Sequence, residues 1–567
     1  MFRRLPNLKQ IKYLGRILTK KEKKYIASLL LLMLFSLFFL IGRIYFPKLK
    51  TEPAPGGKYI EGLVGVPKVI NPILAVDDVD LTLVRLTFSG LLKYDKNLEL
   101  KPDLAETVTV SDDQKKYTFC LKQNLFWHDG EALTLNDVIF TFEIIKNQVF
   151  KNSSLERLRR ANFSKIDDNC LEFNLEKSSS TFSSDLTLGI LPKHIWSQID
   201  PEDFPQSEFN LKPVGSGPFK FDSLARDDAN QIKFYTLKRN EKYFQPPYLE
   251  EIIFKFYPDP ETATEALKIN QIDGLVSVPK ENDEELNQNK KLKYYQINLP
   301  YYTAVFFDLR DKENKKTSPL QEKAVRQALT YLTPKKQIFK SVFNQKGTII
   351  YGPILSQSFA FDPNIQKYDY NPELAEDIFK QAGWERKENG FLEKNGEMLE
   401  IRLTTANQPD LLNAATLIQK SWQEAGVKIK FITIPFEQIR EIIIKRNFDA
   451  FLYGVLENTN SDPYPLWHSS QIEPPGLNLT GFKDRRVDEL LEKAALTDDK
   501  EEKKTYYRKF QELIVQNLPA IFLYSPTYVY LVNQKIKGID IDQLNHPEDR
   551  FINIEGWYIK TKKQFNN

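Results

Sequence analysis

Eighteen consecutive residues without a charge, Tyr25 to Gly42, come after 24 residues that carry nine Lys and Arg. Nothing else in the chain limits its architecture as sharply. At 1.5 Å per residue such a run, as a helix, covers about 27 Å, close to the ~30 Å hydrocarbon core of a bilayer. Arg43 can snorkel, so Ile44–Phe46 extend the span. The basic flank is retained on the cytoplasmic side and the remainder of the chain is exported. The run ends in GRIYFPK, not in the small residues of a cleavage site, and no Cys comes next to accept a lipid. We therefore expect residues 1–24 to be a basic cytoplasmic tail and residues 25–46 an uncleaved transmembrane signal anchor. Residues 47–57, rich in Pro and Gly, read as a linker.

The rest of the chain is long enough for about three lobes. Removing the twelve bases and one acid of residues 1–50 from totals of 79 and 76 leaves a body carrying about −8. An acidic body lacks the basic face that nucleic acids require. Its pattern mixes strands and helices. Ile252, Phe254 and Phe256 alternate in EIIFKFY, and a helix opens after PDPE. Val487, Leu490, Leu491, Ala494 and Ala495 form a helical stripe, with Asp484 as its N-cap and Glu489–Lys493 as an i,i+4 pair. Short strands and medium helices in irregular alternation predict an α/β protein with mixed α+β elements.

Chemistry-bearing motifs are sparse. The two cysteines, Cys120 and Cys170, lie in the strand-like runs YTFCLK and CLEFNL, on the faces opposite Phe119, Leu121, Leu171 and Phe173. They form a disulfide if those strands are neighbours and are two free thiols otherwise. The four histidines form no HxH or HExxH pair, and no GxSxG elbow, GxGxxG or GxxxxGK[ST] loop occurs. No metal, cofactor or catalytic group is implied. Trp127-His-Asp-Gly130 reads as a turn before a helix capped by Thr134 and Asp137, and Val214-Gly-Ser-Gly-Pro-Phe219 as a glycine turn. Asp462-Pro-Tyr-Pro-Leu-Trp467 comes after the strand FDAFLYGV; a polar loop with Tyr464 and Trp467 at a strand end suits ligand stacking.

The order of several segments carries more. GLLKYDKNLELKPDLAETVTVSDDQKKYTFCLKQNLFWHDGEALTLNDVIFTFE, VGSGPFKF, LKRNEKYFQPPYLEEIIFKFYPD, EALKINQIDG, AVRQALTYLTPKKQI, YNPELAEDIFKQAGW, FDAFLYG, RVDELLEKA and PAIFLYSP succeed one another over residues ~60–550. In that order they resemble the bacterial extracellular solute-binding proteins of family 5, the dipeptide- and oligopeptide-binding components of ABC importers. The resemblance implies a type II periplasmic-binding-protein-like fold of two lobes with an inserted domain. Domain I is then residues 58–90, 212–298 and 516–560, domain II residues 91–211, and domain III residues 299–515. A peptide would be enclosed between lobes I and III, with hinge crossings near residues 298 and 515, and delivered to permease subunits with their ATPase by a monomer that does no covalent chemistry.

In peptide-binding members an Asp behind the FDAFLYG-like strand pairs with the peptide ammonium, close behind a Gly-Trp. Here Val455 replaces that Trp, and Glu457 or Asp462 would supply the charge. Tyr301 and Tyr302, opening the strand YYTAVFFDLR at the hinge, are further cleft candidates. The alternatives are an oligosaccharide or metal chelate as ligand, a surface sensor without transport, and a surface peptidase.

Overall fold

The structure, a computed structural model, describes residues 18–45, 49–147, 149–150, 155–176, 182–276, 278–311, 318–343, 347–435, 438–456, 462–474, 476–497 and 499–565. Its first element is a helix, Lys20–Tyr45, with Thr19 and Glu22 capping each other's backbone N–H groups. Its apolar side chains stand clear of the body: Leu31 is 69% and Phe38 79% exposed. Its length, about 39 Å at the helical rise, is enough to cross a bilayer with some tilt.

The expected linker is not irregular throughout. Leu49–Ala54 forms a strand and pairs antiparallel with Lys560–Phe565, so the two ends of the body are tied together.

Among the described residues one sheet of twelve strands runs through the body. From one edge its order is Lys428–Ile434, Glu400–Ala406, Ala450–Leu456, Tyr301–Phe307, Ala520–Asn533, Gly274–Val276, Lys58–Val64, Glu251–Tyr257, Ile232–Arg239 and Phe219–Arg226. Leu292–Asn298 and Gly347–Ile349 also pair with Ala520–Asn533. Parallel pairs are joined through helices, as where Pro409–Glu424 links Glu400–Ala406 to Lys428–Ile434. In Glu251–Tyr257 the alternation read from the sequence puts Ile252, Phe254 and Phe256 inside.

The long strand Ala520–Asn533 belongs to both halves of the molecule. Ala520 to Tyr524 pack in a core with Tyr302, Trp422, Phe451 and Phe510, whereas Tyr530 and Val532 pack in another with Tyr59, Phe254 and Trp557. The segment expected as 516–560 thus begins inside the second core, and the change of lobe falls within a continuous strand. Pro526 pairs with Gly347 on one side of it and Thr527 with Asn298 on the other. The residues of the inserted region, among them Leu104, Phe119, Phe142 and Phe173, share the first core.

That region holds a four-stranded sheet in which Lys116–Leu121 pairs with Cys170–Asn174. Cys120 and Cys170 are directly opposed, and they form a disulfide. The WHDG and GSG turns lock together: the Gly215 N–H donates to His128 Nδ1 at 3.2 Å, and His128 Nε2 lies 3.0 Å from the Gly217 carbonyl. Both motifs are structural, and Thr134 with Asp137 makes the expected capping box. Asp484 caps its helix as expected, but Glu489 pairs with Arg485 at 2.8 Å and not with Lys493. In the first core the Arg550 guanidinium meets Glu61 at 2.9 Å, both fully buried, with the Tyr530 hydroxyl donating to the same carboxylate. This charge pair fastens the chain's C-terminal return to the central strand Lys58–Val64, and removing one partner alone would cost about 3–5 kcal/mol.

Candidate functional site

Both crossings between the halves are short and extended. The first runs through Leu299 and Pro300, from the strand Leu292–Asn298 into Tyr301–Phe307. The second is the passage from Pro526 to Thr527. Gln357, from the second half, donates to the Leu299 carbonyl at 3.2 Å and braces the first crossing.

Tyr301 opens the strand just beyond that crossing and pairs with Leu456. Its ring lies over Gly454, where a Cβ would collide with the Tyr301 hydroxyl, so glycine is required for this packing. Thr303 is the cross-strand neighbour of Tyr524, and the Asp410 charge acts on the phenols of both Tyr301 and Tyr524. Burial, then the neighbouring Tyr453, pushes the Tyr301 phenol up to about 12. The result is a polar aromatic cluster at the crossing end of the second lobe.

Asp462 lies at the same end. It is 9% exposed, and its carboxylate accepts the Tyr464 N–H at 3.1 Å. Across the division stands Arg157, on a short helix of the inserted region whose Leu158 packs in the first core. Arg157 forks onto Asp185 with contacts of 2.6 and 2.5 Å, and the Asp462 charge acts on the same guanidinium. Burial lowers the Arg157 proton affinity, but Asp185, aided by Asp462, outweighs it and leaves the group above its ordinary value. The Asp462 carboxylate of one half therefore acts on the Asp185-paired guanidinium of the other.

The remaining expected residues separate by burial. Trp467 and Tyr302 are not on the interlobe face. Trp467 is 1% exposed, with its ring 5.8 Å from Phe522 and 6.4 Å from Phe306. Tyr302 is fully buried, 5.7 Å from Phe522. Both fill the second core, because a ring this large gains more from apolar burial than from solvent. Tyr464 is half-buried and stacks on His468, with ring centroids 4.1 Å apart. Glu457 lies outside the described residues. Sequence reasoning missed Arg157, Asp185, Asp410 and Tyr524. Only the basic run ERLRR hinted at Arg157, and no local pattern joins it to an acid so far along the chain. Among the described residues no group of three or more His, Cys, Asp and Glu is placed to hold a metal.

Known proteins match both sequence and fold. The family model "Bacterial extracellular solute-binding proteins, family 5 Middle" matches residues 99–473. The oligopeptide-binding protein AppA of Bacillus subtilis is 28% identical over 522 residues, 90% of this chain and 92% of the relative. The dipeptide-binding protein of Escherichia coli is 25% identical over 525 residues, 87% of this chain and 93% of the relative. The structure of B. subtilis AppA with a nonapeptide superposes with a TM-score of 0.72 at 27% identity, covering 90% of this chain and 100% of that one. NikZ from Campylobacter jejuni, in complex with Ni(L-His), gives 0.70 at 28% identity, covering 88% and 99%. With two lobes joined by two crossings, an inserted region on the first, and a family match over most of its length, the chain belongs to the bacterial extracellular solute-binding proteins of family 5.

Proposed function

We propose that this protein captures short peptides between its two lobes outside the membrane and hands them to the permease of an ABC importer. The reading rests chiefly on the charged face between the halves, where Asp462 and Arg157 stand on opposite sides of the division. Asp462 takes the peptide ammonium, and Arg157 biases the opposite wall toward the carboxylate end. Tyr301 supplies an aromatic surface beside them. An ammonium enclosed in a closed cleft needs such a paired charge. Contacts made only in the closed form shift the open–closed equilibrium, and the permease reads the closed form. The lobes are residues 58–90, 212–298 and the C-terminal part from Thr527, with 91–211 inserted, against residues 299–526. The protein works as a monomer and performs no covalent chemistry. The helix Lys20–Tyr45 remains uncleaved and holds the body at the outer membrane surface, with the basic tail in the cytoplasm.

The similarity to NikZ supports a second reading, a small metal chelate as ligand. Native mass spectrometry of the full chain purified from membranes, then calorimetry with a dipeptide-to-nonapeptide panel and with Ni-histidine, separates the two. Peptide heats with no Ni-histidine heat support peptide capture. The reverse result refutes it.

A further inference from the structure

At the far end of the second lobe is a cavity of about 780 Å³, lined by residues just past the end of Tyr301–Phe307, by residues just before the start of Ala450–Leu456, and by the later segment that holds Glu473 and Lys483. The whole length of Tyr301–Phe307 separates it from the lobe crossing at Tyr301. It is thus distinct from the interlobe face.

Five cations line it, against Asp311 and Glu473. Two of the five have local carboxylate partners. Arg310 forks onto Asp308 at 2.8 and 2.9 Å, and Lys445 pairs with Glu441. The other three form no ion pair with a carboxylate among the described residues. Arg326 is buried and donates only to backbone carbonyls, of Leu320, Gln321, Asn517 and Leu518. Arg446 is 1% exposed; its Nη2 donates to the Gly476 carbonyl, while Nε and Nη1 have no partner among the described residues. Lys483 is exposed at the rim. Burial, aided at Arg446 by the neighbouring Arg310, pulls both Arg326 and Arg446 down to about 10; the charges of Asp308 and Glu473 act on Arg446 in the opposite sense and do not offset it. The Arg446 backbone is also left-handed, a conformation that a long side chain adopts at a cost. Buried guanidinium groups without a carboxylate bound to them are expensive, and the unpartnered Nε and Nη1 of Arg446 suit a planar or tetrahedral oxyanion.

We propose that this cavity binds a small multivalent oxyanion, a phosphate or a polycarboxylate, independently of the ligand taken between the lobes. Arg446 and Arg326 set the positive field, and Lys483 closes the rim.

The test uses the full chain in detergent, titrated with inorganic phosphate in one arm and citrate in another, against sodium chloride at matched ionic strength. Thermal unfolding and calorimetry are the readouts. The expected result is a saturable rise in melting temperature with phosphate or citrate and not with chloride, weakened tenfold or more by Lys483→Glu. Arg446→Gln removes it altogether. Because Arg446→Gln puts the fold at risk, the exposed Lys483→Glu decides. Peptide affinity is unchanged in Lys483→Glu, which separates this site from the interlobe one. The proposal is overturned if neither anion saturates, if chloride gives the same shift, or if Lys483→Glu binds phosphate and citrate as the parent does.

Discussion

Asn298 and Thr527 pair side by side as the last rung of the first lobe on the two segments that leave it. One residue before Thr527, Pro526 already pairs with the second lobe, and three residues after Asn298 Tyr301 does too. The two crossings are therefore adjacent, extended and few in residues. A rotation of one lobe on the other needs dihedral changes at only those positions, and each core moves as a unit.

Asp462 is predicted to select for a free amino terminus. Asp462→Asn keeps the side chain's shape but removes the charge, which is worth about 1.5–3 kcal/mol to an enclosed ammonium. Calorimetry should show roughly a 10–100-fold loss of affinity for peptides with a free ammonium and little change for N-acetylated ones. An equal loss for both kinds would remove Asp462 from the ammonium role.

Trp467 and Tyr464 are three residues apart but have different duties. Trp467→Ala empties a filled position among Phe306 and Phe522 and should cost about 3–5 kcal/mol in urea unfolding. Tyr464→Ala removes a half-buried ring stacked on His468 and should cost about 1 kcal/mol.

The Cys120–Cys170 bridge should leave no thiol reactive toward Ellman's reagent in unreduced, denatured protein. It suits an oxidising compartment outside the cytoplasm. It closes a long loop, so replacing both cysteines by Ser should destabilise the inserted sheet by about 2–4 kcal/mol, read as a lower melting temperature for parent protein in reductant as well.

His128 gives a pH dependence of known sign. Burial holds its ring down at about 4 against an ordinary 6.5, outweighing the hydrogen bond to the Gly217 carbonyl, which favours the protonated ring; protonation at Nδ1 would also displace the Gly215 N–H that donates there. Above pH 6.5 both folded and unfolded rings are neutral and the full stability is present. Between 6.5 and 4 the unfolded chain takes up a proton that the folded one refuses, so stability falls, by at most about 3 kcal/mol. Urea unfolding across that window should show a shallower slope for His128→Gln, which is also weaker near neutrality.

What can be read from residues alone is what local periodicity encodes. The strand Glu251–Tyr257, the stripe Val487, Leu491 and Ala494, and the cap at Asp484 follow from side-chain spacing. The pairing of Leu49–Ala54 with Lys560–Phe565 does not, because nothing local in a Pro-containing run names a partner at the far end of the chain. The sharing of Ala520–Asn533 between lobes is hidden for a similar reason: an apolar strand reads the same in one core or two. At the site, Asp462 and Tyr301 are legible as polar or aromatic residues at strand ends. Trp467 misleads because a loop tryptophan's direction is set by the core beneath it. Arg157 is invisible because its relation to Asp462 exists only once the two halves are folded against each other.

Closure itself is measured most directly by a distance between the lobes. Nitroxide labels at Glu265→Cys in the first lobe and Glu489→Cys in the second lie on exposed helix faces whose ion pairs contribute little. Double electron–electron resonance on the full chain, alone and saturated with a peptide whose binding calorimetry has established, should give a shorter and narrower distance distribution with peptide. The same distribution in both samples would contradict capture by lobe closure.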